Sequence, residues 1–92
     1  MQPRIQHEPE GRRFVVTVDG APAFLEYASA GAGRVDFRYT FVSPELRGRG
    51  LGAAVVREAL AWARREGLKV VPSCWFVAAI VERHHEYRDL LA

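Results

Sequence analysis

The sequence predicts an α+β domain built on a mixed β-sheet. Its first half alternates short apolar segments with turn residues, a pattern typical of antiparallel strands. Its second half holds an amphipathic helical segment, a short apolar strand and a second helical segment. Because a helix that crosses between two strands lets them pair in parallel, the sheet should contain both strand orientations.

The antiparallel strands are expected in the first half of the chain. Residues 13–18 form one strand, Asp19-Gly20 is a hairpin turn, and residues 23–28 return. After a turn at 30–33, residues 35–42 alternate in polarity. This alternation places Val35, Phe37, Tyr39 and Phe41 on one face and Asp36, Arg38 and Thr40 on the other. Residues 5–8 are a candidate fourth strand, flanked by Pro3 and Pro9.

The first helix is expected over residues 51–66, directly after a glycine-rich turn. Its small and apolar residues recur at three- and four-residue steps: Gly52, Val55, Val56, Ala59, Leu60 and Ala63. Gly67 is placed to end this helix. Residues 68–71 are then the short strand that should lie parallel to residues 35–42.

The second helix is expected to begin at Trp75 and to reach Tyr87. Ser73, which follows Pro72, is the expected N-cap. Helical spacing predicts an inward face made of Phe76, Ala79, Ile80 and Arg83.

Composition limits the classes of function. The 92 residues form one domain, 1–92, with a net charge of +2 that is too small and too scattered to indicate nucleic-acid binding. No apolar run is long enough for a membrane span, and the N-terminus lacks the apolar core of a signal peptide. The single cysteine cannot form an internal disulfide. These features predict a cytoplasmic protein with no membrane or nucleic-acid partner.

The segment 43–52, S-P-E-L-R-G-R-G-L-G, is expected to bind an anion. Its glycines allow the backbone to approach a ligand closely. The first amides of the following helix have no internal partner and lie at the positive end of the helix dipole. Arg47 and Arg49 add positive charge. The spacing does not match a phosphate-binding loop of the Walker type or the dinucleotide fingerprint.

The spacing Arg47-x-x-Gly50-x-Gly52 resembles the R/Q-x-x-G-x-G/A signature of the GNAT N-acetyltransferase superfamily. Residues 35–92 are similar, more narrowly, to a small single-domain GNAT-like family. Its hallmarks R-G-x-G-L-G, W-A-R-x-x-G-L-K-V, V-P-x-C and R-H-x-E-Y match segments 47–52, 62–70, 71–74 and 83–87. The resemblance implies a truncated GNAT-like sheet of three or four antiparallel strands, a helix, a parallel strand and a C-terminal helix.

The resemblance also implies acetyl-CoA as cosubstrate. Main-chain groups near Phe41 and Val42 would bind its pantetheine arm. Its pyrophosphate would be held by the turn and the helix start: Arg47, Gly48, Arg49, Gly50, Leu51, Gly52 and Ala53. The implied activity is acetyl transfer to an unidentified amine, by direct attack of the amine on the thioester.

The chain departs from the superfamily pattern in two places. We expect no room before the strands for the two helices that ordinarily shape the acceptor pocket. The pattern N-x-x-A-x-x-x-Y, whose tyrosine protonates the departing thiolate, places Cys74 at the asparagine and Val81 at the tyrosine. In addition, His85 replaces a proline common in the small family, which should let the last helix continue. The missing tyrosine and the missing acceptor helices favour an alternative function, an acetyl-CoA-binding or sensing module with little or no turnover.

Cys74 and His84 are the candidate catalytic residues. A thiol in the first turn of a helix has a lowered pKa, so Cys74 could be a nucleophile or a proton donor, or simply a small buried side chain. His84 could be a general base or a solvated residue near a helix end. Adjacent histidines lack the spacing of a helical zinc site, so no metal is expected. The expected oligomeric state is a monomer or a weak homodimer.

Overall fold

The computed structural model of the chain describes residues 4–92. A single sheet of five strands has the order β1-β2-β3-β4-β5, in which the first four are antiparallel and β4 and β5 are parallel. The elements are β1 (Gln6–Glu8), β2 (Arg13–Val18), β3 (Ala21–Ser29), β4 (Arg34–Val42), α1 (Leu51–Arg65), β5 (Lys69–Val71) and α2 (Trp75–Arg83). Short 3₁₀ helices cover Pro44–Leu46 and His85–Leu90. The α+β mixed sheet predicted from the sequence is confirmed, with the fourth antiparallel strand present. Pro3 lies outside the described residues.

The β2–β3 hairpin follows from its turn residues. Asp19 and Gly20 both have positive φ, 52° and 81°, which is the conformation of a two-residue turn that matches strand twist. Val18 pairs directly with Ala21, so β3 begins two residues earlier than predicted.

The core lies between the sheet and the helices. The apolar face of α1 packs on β2, β3 and β4, and the residues expected on that face are all buried. Phe14, Leu25 and Phe37 are the largest buried side chains of the sheet. Burial of each such apolar side chain contributes about 1.5–3 kcal/mol to the free energy of folding, so this layer stabilises the packing of α1 on the sheet.

A β-bulge in β4 changes the predicted alternation. Tyr27 pairs with Phe37 and Glu26 with Tyr39, which leaves Arg38 as an additional residue between them. Beyond the bulge, each residue of β4 lies on the face of the sheet opposite to the one that the alternation predicts. Thr40 pairs with the buried Leu25 on the core side. The prediction that Tyr39 and Phe41 share the face of Val35 and Phe37 is therefore wrong, because sheet pairing rather than sequence alternation sets the orientation beyond Arg38.

The C-terminal helix is shorter than predicted and rotated. It ends at Arg83, and His84 is extended with φ −116° and ψ 94°, so replacement of the proline at position 85 does not extend the helix. Cys74, not Ser73, is the N-cap, and its amide donates a hydrogen bond of 2.9 Å to the Phe37 carbonyl. That bond fixes the rotation of the helix. The buried side chains are accordingly Val77, Ile80 and Val81, while Arg83 is exposed.

The segment after α2 returns to α1 and β5. Arg64 and Asp89 form a bidentate ion pair with distances of 2.7 and 3.1 Å, and Leu90 is buried. Leu91 then bridges to Val70 in parallel orientation. These contacts, together with the extended His84, direct the chain away from the helical path that the sequence predicts.

Candidate functional site

A groove opens where β4 and β5 diverge. The two strands pair only as far as Asp36 and Val71, after which α2 begins. In the described part of the chain no strand pairs with β4 beyond this point on the β5 side, so its edge is available to a ligand. The groove has a volume of about 550 Å³. Its lining comprises Thr40, Val42, Leu46, Arg47, Gly48, Gly50, Leu51, Gly52, Ala53, Trp75 and Phe76.

Two glycines give the turn at one end of the groove its shape. Gly48 and Gly50 have φ of 83° and 75°, and Gly50 is the N-cap of α1 in the left-handed conformation. A residue with a Cβ is disfavoured there by about 1–2 kcal/mol. The consequence is a sharp change of direction that points the start of α1 into the groove.

The start of α1 presents unpaired amides to this groove. The first hydrogen bond of the helix runs from the Ala54 amide to the Gly50 carbonyl at 3.0 Å. The amides of Leu51, Gly52 and Ala53 therefore precede the helical ladder and lie at the positive end of the helix dipole. This arrangement suits an anion, because each hydrogen bond to a charged group contributes about 1.5–3 kcal/mol.

Arg47 joins this turn to the end of β4. Its Nε donates a hydrogen bond of 3.1 Å to the Val42 carbonyl, which holds the guanidinium at the rim of the groove. Arg49 is exposed and does not line the groove. The two arginines that the sequence places in the same motif thus differ in position.

Gly52 is required for a different reason from Gly48 and Gly50. A Cβ at this position would lie 3.0 Å from Val42 Cγ2 and 3.2 Å from Phe76 Cε2. The glycine therefore allows the first turn of α1 to approach both β4 and α2. The walls of the groove meet at this residue.

Ser43 anchors the turn to the sheet. It is buried, its Oγ donates to the Pro22 carbonyl at 2.7 Å, and its amide donates to the same oxygen at 3.1 Å. Its own carbonyl accepts a hydrogen bond from the Leu46 amide. The start of the glycine-rich segment is in this way attached to β3.

Cys74 lies beside the groove, at the point where β5 ends and α2 begins. Its thiol is almost fully buried and donates a hydrogen bond of 3.5 Å to Thr40 Oγ1. Burial raises the pKa of the thiol, but hydrogen bonds from the Thr40 hydroxyl and from the backbone of Thr40, Phe76 and Val77 together lower it by more. The pKa of Cys74 therefore lies below its usual value.

The remaining predicted site residues are dispersed. Val42 lines the groove, whereas Phe41 lies on the opposite face of the sheet, where its ring packs 5.4 Å from that of Phe24. His84 follows the far end of α2, about 13 Å along the helix axis from Trp75. Its nearest acidic neighbour is Glu86, with Nδ1 4.0 Å from Oε1.

Sequence patterns do not indicate that Thr40 and Trp75 line the groove. Thr40 enters the groove only because of the bulge at Arg38, which nothing in the local sequence indicates. Trp75 is predicted from the sequence only as the first residue of the second helix. Its side chain is 78% exposed at the rim of the groove. The only feature of the sequence that could have indicated this position is that Trp75 directly follows residues 72–74, between the last strand and the second helix.

Two further properties concern the described residues as a whole. Within residues 4–92, no three His, Cys, Asp or Glu side chains are grouped so that they could hold a metal ion. Among the helices of that same range, none is both long and apolar enough to cross a membrane.

Comparison with known proteins relates the chain to a single family. The sequence profile of the GCN5-related N-acetyltransferase family matches residues 13–90. The protein NATD1 of Homo sapiens is 31% identical over 83 residues, which cover 88% of this chain and 74% of that protein. NATD1 of Xenopus tropicalis is 30% identical over 83 residues, covering 88% of this chain and 76% of that protein.

Solved structures show the same fold. The solution structure of a GCN5-like protein from Staphylococcus aureus matches with a TM-score of 0.78 and 26% identity, over 97% of this chain and 87% of the other. The crystal structure of a GNAT-family protein from Desulfovibrio desulfuricans matches with a TM-score of 0.54 and 21% identity. This second match covers 77% of this chain and 52% of the other, and it supports the fold alone.

Proposed function

Since the chain belongs to the GCN5-related N-acetyltransferase family, we propose that it binds acetyl-CoA in the groove and transfers the acetyl group to an amine. The observation that carries this proposal is the turn at Gly48 and Gly50, which presents the first amides of α1 to the groove. An extended anionic ligand fits this combination of an anion site and an open strand edge.

The pyrophosphate is placed at the glycine turn. The amides of Leu51, Gly52 and Ala53 donate to its oxygens, and Arg47 adds a charge at the rim. Three amides at about 1.5–3 kcal/mol each outweigh a single exposed guanidinium, so the backbone supplies most of the affinity. The pantetheine arm then extends along the unpaired edge of β4 between Thr40 and Val42.

The thioester reaches the part of the groove near Thr40. A neutral amine attacks the carbonyl carbon, the nitrogen loses a proton to water, the carbon–sulfur bond breaks, and the departing thiolate takes up a proton. A backbone amide of β4 stabilises the carbonyl oxygen as charge develops there. Cys74 is the titratable side chain that adjoins this part of the groove, through Thr40. It supplies the proton in one version of the mechanism and acts as a nucleophile in the other.

The test is a pair of measurements on the purified protein. Calorimetry determines whether acetyl-CoA binds, and an assay for free thiol determines whether CoA is released in the presence of polyamines, peptides with free amino groups or small amines. Binding with release that depends on one amine class supports the proposal. Absence of acetyl-CoA binding would contradict it.

A second candidate function is an acetyl-CoA sensor with little turnover. The observation that favours it is Val81, which occupies the place of the tyrosine proton donor in the family pattern and is buried in the core. Tight acetyl-CoA binding without release of CoA on any acceptor would identify the sensor.

A further inference from the structure

Trp75 is the most exposed large apolar side chain in the described part of the chain. Its side chain is 78% accessible, although α2 buries Val77, Ile80 and Val81. An indole presents a large flat apolar surface, which is stabilised when another flat group covers it. Trp75 lies at the rim of the groove rather than on an isolated surface, so the groove ligand is the group that can cover it.

Trp75 is also close to the anion site. The Phe76 ring lies 3.2 Å from the position that a Cβ of Gly52 would occupy. The rings of Trp75 and Phe76 are 5.9 Å apart, with an edge-to-face angle of 82°. The Phe76 ring therefore lies between the indole of Trp75 and the start of α1.

We propose that the indole of Trp75 is the platform on which the adenine ring of CoA stacks. This inference rests on the proposed function, in which the pyrophosphate occupies the glycine turn. Adenine is the one aromatic group of CoA, and a single ribose joins it to the pyrophosphate. It therefore lies near the turn, whereas the pantetheine arm extends in the other direction along β4.

The arrangement makes Trp75 a determinant of specificity for the nucleotide. The amides of α1 bind any pyrophosphate, but they do not distinguish CoA from other phosphate esters. Stacking on the indole adds affinity only for ligands that carry a base. The Trp75 and Phe76 rings meet edge to face, and most of the indole surface remains accessible to a base.

Fluorescence tests the stacking directly, because the chain contains only two tryptophans. Trp62 is partly buried, packs against Phe14 and Tyr27, and does not line the groove. In Trp62→Phe the emission comes from Trp75, and we expect CoA and ADP to quench it, whereas inorganic pyrophosphate leaves it unchanged. In the matched variant Trp75→Phe, we expect ADP to leave the emission of Trp62 unchanged.

Calorimetry then separates this inference from the proposed function. We expect Trp75→Ala to weaken CoA and ADP binding about tenfold and to leave phosphopantetheine binding unchanged. The substitution is at an exposed position, so thermal unfolding should match that of the wild type. Equal affinity of the wild type and Trp75→Ala for CoA would overturn the stacking while leaving the proposed function in place. Equal weakening of phosphopantetheine would also overturn it, because the indole would then contact the arm. A wild-type protein that binds no CoA would contradict both.

Discussion

The thiol of Cys74 donates a hydrogen bond to Thr40 Oγ1 across 3.5 Å, and the two residues are 34 positions apart in the chain. The bulge at Arg38 turns Thr40 toward the core side of β4, and the bond from the Cys74 amide to Phe37 fixes the start of α2. The only cysteine of the chain is thereby held next to the groove in a setting that lowers its pKa.

We predict that Thr40→Val raises the pKa of the Cys74 thiol. The substitution keeps the shape of the side chain but removes the hydroxyl that stabilises the thiolate. The rate of alkylation by iodoacetamide, measured against pH, should shift to higher pH. The control Thr17→Val alters an exposed threonine of β2 and should leave the profile unchanged. An unshifted profile in Thr40→Val would show that the backbone amides alone set this pKa.

Three roles of Cys74 give three different outcomes. A nucleophile would form one acetyl adduct at Cys74 with acetyl-CoA alone, and Cys74→Ala would abolish transfer. A proton donor would form no adduct, and Cys74→Ser would lose less than the ~100-fold that general acid catalysis ordinarily contributes. A packing residue would change only the melting temperature. We expect no adduct and a modest loss of rate. Mass spectrometry that finds acetyl-Cys74 consumed on addition of an amine would contradict this expectation.

Substitution of Gly50 should remove acetyl-CoA binding through backbone conformation. An alanine at φ 75° is strained by about 1–2 kcal/mol, and relief of that strain would displace the amides that follow. Gly20 is a matched control, since its φ is 81° and its Cβ position is equally open, but it lies in the hairpin. Gly50→Ala and Gly20→Ala should lose similar stability in urea unfolding. Only Gly50→Ala should lose affinity in calorimetry.

Substitution of Gly52 should act through packing instead. The Cβ of Gly52→Ala would press on Val42 and Phe76, and overpacking of this kind costs about 1–3 kcal/mol. Gly11→Ala is the control, because its Cβ would meet its nearest atoms at an ordinary 3.8 Å. The urea midpoint should fall for Gly52→Ala and stay near that of the wild type for Gly11→Ala.

The stability of the N-terminal strands should depend on the protonation of His7. Its ring stacks on Phe14 at 4.2 Å, and its Nε2 lies 2.6 Å from the Tyr27 hydroxyl. Burial lowers the pKa of His7 from 6.5, Arg65 lowers it further, and Glu66 partly opposes this. Because the folded state has the lower pKa, the contribution of His7 to stability is complete above pH 6.5 and is lost as the pH falls through the folded-state pKa.

The corresponding measurement is urea unfolding of the wild type and of His7→Gln at pH 8 and pH 5. Glutamine can still bond to the Tyr27 hydroxyl but does not titrate. We expect the wild type to lose more stability on acidification than the variant does. If both proteins lost the same free energy of unfolding between pH 8 and pH 5, a group other than His7 would be responsible for the acid sensitivity.

Local pattern was sufficient to predict most of the fold and the position of the glycine turn that we propose as the anion site. The strands, the β2–β3 turn and the apolar face of α1 follow from spacing and turn chemistry, which neighbouring residues specify. The glycine turn was recognisable for the same reason. Arg47 and Gly50 act through the conformation and charge of the segment in which they stand.

The sequence by itself determined which segments are strands or helices and which glycine-rich turn precedes the first helix, because those properties depend on residues close together in the chain. Only the tertiary structure decided which side chains face the groove. The pairing of β3 with β4 introduced the bulge, which places Thr40 rather than Tyr39 on the core side of the sheet. Contacts of the C-terminal segment with α1 and β5 ended α2 at Arg83. Both depend on partners distant in sequence, whose contacts outweigh the local alternation and helical spacing.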